Sequence, residues 1–219
     1  MNSSTYQEIK RHIPKDVCLV AVSKTKSKEE ILVVYNEGQR HFGENKVQEL
    51  VEKFETLPKD ISWHQIGHLQ TNKVKYIAPF VSLIHAVDSL KLLKEINKQG
   101  AKFERVIPCL LQFHIALEES KFGMTFEEVK ELLESKTFIE MANVSIVGIM
   151  GMASNTEDEN QIREEFQDLE GFFNVIKSHF FKYNSDFKEI SMGMSGDYKI
   201  AIEEGSSMIR VGSAIFGSR

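Results

Sequence analysis

Cysteine is nearly absent: Cys18 and Cys109 are the only two, far apart in the chain. Two thiols cannot build the disulfide framework of a small secreted domain, and they suit a reducing compartment. Apolar runs are short, and none approaches the roughly 20 residues of a membrane-crossing helix. Residues 1–15 are polar and lack the apolar stretch of a secretory signal, so the expected location is the cytoplasm. Positive charge is not in excess: 27 Lys and Arg face 32 Asp and Glu, a formal net charge of −5. That balance argues against a nucleic-acid or anionic-membrane partner. The seven histidines and two cysteines show no metal-ligand spacing. Linkers, repeats and low-complexity stretches are missing, and so is any long heptad or exposed apolar stripe. A monomer is expected.

What is present is a chain of 219 residues, 42% hydrophobic and 27% charged, which can bury a sizeable core. Short β-branched or apolar runs cover 17–23, 40–44, 61–67, 80–87, 105–114, 144–152, 188–194 and 208–215. Several are apolar nearly throughout, as strands covered on both faces are. Helix-period segments lie between them. Ile162, Phe166, Leu169, Phe173 and Ile176 form one apolar stripe, and Val47, Leu50, Val51 and Phe54 form another. Ser27 with Glu30, Thr125 with Glu128, Thr156 with Glu159 and Asn45 with Gln48 have capping-box spacing. Strand and helix alternate to the end of the chain. Eight such units most simply close into a (β/α)8 TIM barrel, here a single α/β domain over residues 1–219 with an N-terminal helix. The alternative, a doubly wound sheet, should show a Gly-rich turn after the first strand, and here that turn reads Ser23-Lys24-Thr25-Lys26.

In a barrel the active site lies at the C-terminal ends of the strands. Those positions hold Lys24, Glu44-Asn45, Gly67-His68, Asp88, His114, 151–154, Ser195-Gly196 and Gly212-Ser213. Partial burial disfavours the charged form of an amine, and a neutral amine is what Schiff-base chemistry with an aldehyde requires. By position alone Lys24 is either such an amine or a rim lysine snorkelling to water. Ser195-Gly196 and Gly212-Ser213 end the last two strands, where barrels often bind phosphate; they read equally as turn and cap chemistry. Arg210 lies inside the final strand on the same face as Gly212. A buried arginine needs an acceptor, which a ligand ring nitrogen or an internal carboxylate could supply. His64, within Trp63-His64-Gln65-Ile66-Gly67, reads as a packed strand histidine. Gly212 to Gly217 has P-loop spacing, but Ser218 stands where that motif needs lysine.

Taken in order, the motifs resemble the pyridoxal phosphate homeostasis protein family. They are Ala21-Val22-Ser23-Lys24-Thr25-Lys26, Phe42-Gly43-Glu44-Asn45, Trp63-His64-Gln65-Ile66-Gly67-His68-Leu69-Gln70, Ser120-Lys121-Phe122-Gly123, Ser191-Met192-Gly193-Met194-Ser195 and Val211-Gly212-Ser213-Ala214-Ile215-Phe216-Gly217. The resemblance implies a pyridoxal 5′-phosphate (PLP)-binding barrel similar to the N-terminal domain of alanine racemase. It implies that Lys24 holds PLP as an internal aldimine and that Arg210 faces the pyridine nitrogen. Ser195, Gly212 and Ser213 would bind the phosphate, with Asn45 beside the cofactor. The implied role is to hold, buffer and deliver PLP in vitamin B6 homeostasis without catalytic turnover, with PLP-dependent apo-enzymes as the partners served. An arginine at the pyridine nitrogen leaves the ring a poor electron sink, which suits a carrier or a racemase better than a transaminase. An amino-acid racemase is the alternative, and it would need a second base beside Lys24. A binding module for another phosphorylated metabolite is a third reading. Two departures stand out: Ser27 replaces the family's usual proline, and Phe113-His114 replace Val-Asn, which is expected to bring an imidazole near the barrel mouth.

Overall fold

The computed structural model describes residues 3–118 and 122–217, so Ser120 and Lys121 of the fourth motif and Ser218 lie outside the described residues. Eight parallel strands close into a barrel in chain order, with the last pairing the first. They are β1 (Cys18–Val22), β2 (His41–Glu44), β3 (Ser62–Gln65), β4 (Leu83–Val87), β5 (Ile107–Gln112), β6 (Val144–Met150), β7 (Glu189–Ser191) and β8 (Met208–Val211). Each falls inside one of the segments expected from the sequence. The expected run 208–215 is too long by half. The backbone leaves the strand at Gly212 (φ −121°, ψ −74°), and Ser213–Phe216 form a helical turn.

The helices are α1 (Ser3–His12), α2 (Lys28–Asn36), α3 (Val47–Thr56), α4 (Val74–Ile77), α5 (Leu90–Lys102), α6 (Phe126–Glu134), α7 (Lys136–Ile139), α8 (Glu159–Phe180), α9 (Tyr198–Glu203) and α10 (Ser213–Phe216). The N-terminal α1 packs against α2 and α10. The α8 stripe is buried at all five expected positions, each contributing about 1.5–3 kcal/mol relative to leaving it in water. Capping boxes start α2 at Ser27 and α6 at Thr125, as the spacing predicts. Two others do not form. Asp158 caps α8 by accepting from the Asn160 and Gln161 amides, while Thr156 accepts from the Asp158 amide instead. The residue preceding α3 is Lys46, with no side-chain cap, so Asn45 is released from that duty.

Two apolar clusters result. The larger lies between barrel and helices. The smaller fills the barrel itself with Val20, Leu83, Ala86, Leu110, Met150 and Met208. Gly148 of β6 leaves no room for a side chain against β7: a Cβ there would sit 1.9 Å from the Glu189 carbonyl oxygen, and the β5–β6 register slips beside it, between Cys109 and Leu110. Among the described residues no helix is long and apolar enough to cross a membrane, and no group of three or more His, Cys, Asp or Glu could hold a metal ion.

Candidate functional site

The C-terminal ends of the strands surround a cavity of about 590 Å³, within the usual range for a small-molecule site. Lys24, Asn45, Ser195, Arg210, Gly212 and Ser213 all line it. The six positions named from sequence, drawn from β1, β2, β7 and β8 and the turns after them, are therefore neighbours in space.

Lys24 is aimed by a strained turn. Ser23 follows β1 with its amide on the Gly43 carbonyl, and the Lys26 amide closes back onto the Ser23 carbonyl. Between them Thr25 takes φ +66°, a left-handed conformation that is costly for a β-branched residue. The Thr25 amide donates to Glu49 Oε2 at 2.9 Å, which holds the strain in place. Below, Glu44 Oε1 accepts from Ser23 Oγ (2.5 Å) and from Lys53 Nζ (2.7 Å), and Lys53 also donates to the Ser23 carbonyl (2.8 Å). Burial raises the Glu44 pKa, with Lys53 and Ser23 opposing the rise. Glu44 is thus not a pocket residue; it props the turn from outside the barrel. The Lys26 amine is tied to the Phe216 carbonyl and to Glu30. Among the described residues Lys24 Nζ makes no hydrogen bond or ion pair, and it is left facing the cavity wall.

Arg210 lies in the floor, 4% exposed. Its guanidinium donates to the Ser191 carbonyl (2.8 Å), to Ser191 Oγ (2.6 Å) and to the Gly151 carbonyl (3.0 Å). An arginine carries five N–H donors, so two have no partner among the described residues. Neither does a carboxylate bridge to it there, which removes the structural ion pair left open by the sequence. Burial pushes its pKa down to about 10, with Asp197 opposing, so it stays charged at neutral pH.

At the third corner, Ser195 Oγ accepts from the Gly212 amide (3.2 Å) and the Ala214 amide (3.4 Å). Two amides and a hydroxyl converge there, the donor set an anionic oxygen needs. Gly193 makes the turn possible: at φ +94° a Cβ would lie 2.5 Å from the Ala201 Cβ of α9.

His68 and Phe122 also line the cavity, and sequence reasoning gave them no role. Their rings stack with centroids 4.3 Å apart, and His68 Nδ1 lies 3.0 Å from Asp88 Oδ2. Gln112 lines the cavity as well and donates to the Phe122 carbonyl. His68 stood in the strand-end set, and only the barrel brings it to Asp88 one strand away. His114 follows β5 at the cavity end of the barrel, but its ring bonds the Glu118 carbonyl and is not part of the cavity lining. Phe113 is buried against Phe172.

The donors fit PLP: an unpaired lysine amine, a buried cation with spare donors, and an anion cradle share one cavity. The family described as the alanine racemase N-terminal domain matches residues 3–219. A pyridoxal phosphate homeostasis protein from Aquifex aeolicus is 39% identical over 202 residues, 92% of this chain and 86% of that protein. PipY from Synechococcus elongatus is 30% identical in sequence. Its structure without PLP has a TM-score of 0.92 over 99% of this chain and 100% of that one, and its structure with PLP bound has 0.87 over 98% and 99%. Alanine racemase from Bartonella henselae shares the fold at 15% identity, TM-score 0.71, with 99% of this chain covering 60% of the racemase chain. The chain belongs to the pyridoxal phosphate homeostasis protein family.

Proposed function

We propose that this protein binds pyridoxal 5′-phosphate covalently through Lys24 and serves intracellular vitamin B6 homeostasis as a carrier or buffer rather than by turnover. The observation that carries the reading is the convergence of Lys24, Arg210 and the Ser195–Gly212 turn on one cavity. When bound, PLP supplies an aldehyde that condenses with amines and a pyridine ring that withdraws electrons. Lys24 is the amine for the aldehyde carbon. Ser195, Gly212 and Ser213 would hold the phosphate, with Asn45 beside the cofactor. Arg210, which has donors only, would bind the ring nitrogen and keep it an acceptor. A ring in that state is a weak electron sink, which favours storage and delivery to PLP-dependent apo-enzymes.

The purified protein incubated with PLP should show an absorbance band of the lysine adduct, trapped permanently by borohydride. Lys24→Ala should reduce the trapped adduct to background; a variant that retained it would refute the assignment. A racemase-like reading has one observation in its favour: His68 on the cavity wall is paired with Asp88, a carboxylate-oriented imidazole of the kind that serves as a base. Deuterium exchange at the α-carbon of alanine that requires both Lys24 and His68 would establish it.

A further inference from the structure

Beneath the cavity, a column of polar side chains crosses the otherwise apolar barrel interior. His41 Nδ1 lies 3.0 Å from His64 Nε2, His64 Nδ1 lies 2.9 Å from His85 Nε2, and His85 Nδ1 lies 3.0 Å from Ser191 Oγ, the oxygen that accepts from Arg210. The barrel's stagger builds the column. In register, His64 pairs with Gly43, two residues beyond His41, and Leu83 pairs with His64, two residues before His85. Each strand therefore lifts its histidine one layer towards the cavity. At the far end His41 and His64 line a second cavity of about 290 Å³, at the opposite mouth.

We infer that Ser191, His85, His64 and His41 form a hydrogen-bond relay of fixed direction that positions Arg210 for its ligand. Direction follows from counting hydrogens. Arg210 has donors only, so Ser191 Oγ must accept from it. Ser191 is fully buried, and its own hydrogen needs an acceptor. Among the described residues that acceptor is His85 Nδ1. His85 must then carry its hydrogen on Nε2 and donate to His64, which does the same towards His41. The reverse direction would put a hydrogen on every Nδ1 and leave the Ser191 hydroxyl hydrogen without a partner. Burial holds His64 down at about 3 and His85 well below its ordinary value, so both are neutral, as the relay requires. Ser191 and His85 are thus positioning residues: they present a lone pair to Arg210 and leave its remaining donors for the cavity.

The relay's link to PLP rests on the proposed function, so one arm of the test avoids the ligand. Nitrogen-15 spectra of the imidazoles in the full chain at pH 7 should show His64 and His85 neutral and protonated on Nε2. Either ring protonated on Nδ1 would overturn the relay, whatever the protein binds. The second arm compares His85→Gln with His85→Phe. Glutamine can accept from Ser191 and donate to His64; phenylalanine keeps the ring and loses both bonds. PLP affinity should fall about tenfold or more in His85→Phe and stay within about threefold of the parent in His85→Gln, with affinity for inorganic phosphate unchanged in both. Equal losses in the two variants, or a matching loss of phosphate affinity, would show a space-filling role and overturn the proposal. Failure of the parent to bind PLP at all would refute the function while the spectra still decide the relay.

Discussion

Thr25 shows how one residue's backbone aims a neighbour's side chain. A β-branched residue at φ +66° carries roughly 1–2 kcal/mol of strain, held by the Glu49 carboxylate on its amide. Glycine tolerates this conformation and keeps the amide. Thr25→Gly should therefore be neutral or stabilising by up to about 1 kcal/mol, the relief of strain offset by added freedom in the unfolded chain. Thr25→Pro cannot reach a positive φ and loses the donor, so it should cost about 3 kcal/mol or more and disorder the Lys24 turn. Urea denaturation of both variants checks the pair. The lysine itself was legible from its place at a strand end. The strain was not, because nothing in Ser-Lys-Thr-Lys marks the threonine as left-handed. Asn45 was legible as a strand-end residue, yet its spacing to Gln48 argued for a cap. The structure resolves that conflict by starting α3 one residue later, after Lys46.

At the level of elements, β2 and α3 form a prop for the end of β1. Lys53 is 6% exposed and Glu44 fully buried, and their contact includes the Ser23 carbonyl and hydroxyl. Removing one partner of a buried pair costs about 3–5 kcal/mol because the other charge is stranded. Lys53→Met should show a loss of that size at pH 7. The loss should shrink as pH falls, since the Glu44 carboxyl, already raised by burial, then takes up a proton. Adding Glu44→Gln should recover much of the stability, and a double variant no better than the single would rule out a stranded charge. Comparing urea midpoints at pH 7 and pH 5 separates these outcomes. The elements themselves were readable because their signals are local: apolar runs for strands, stripes for helices, Ser27 and Thr125 for caps. The prop was not, because Glu44 and Lys53 meet only when a strand and the following helix pack. Strand ends erred for a related reason: apolar residues recur in the 208–215 run as far as Ile215, and only the backbone turn at Gly212 ends the strand.

Across the whole molecule, the barrel's interior histidines tie stability to pH. His64 and His85 are neutral in the folded state, and an unfolded histidine titrates near about 6.5. His64 is held at about 3 by burial first and by neighbouring His41 second. His85 is lowered well below the ordinary value by burial, His64 and Arg210, and His41 is lowered by burial and Lys10, with Glu189 opposing. Below about pH 6.5 the unfolded chain binds protons that the folded barrel refuses, so stability is fully present above that pH and falls as the solution is acidified. Each buried imidazole contributes a slope of about 1.4 kcal/mol per pH unit, so His64 and His85 together give up to about 2.8. Ordinary carboxylates titrate near about 4, and Glu44, whose pKa burial raises, opposes the fall rather than causing it, so the loss between pH 6.5 and 5 comes from the histidines. The urea midpoint should therefore fall steeply across that interval. His85→Gln, which keeps the relay's bonds but cannot titrate, should show a slope shallower by about 1.4 kcal/mol per pH unit. A midpoint that stays flat from pH 7 to pH 5 would mean the interior column takes up protons without resisting. In that case His64 and His85 would not be the neutral, singly protonated rings that the Ser191 hydroxyl requires.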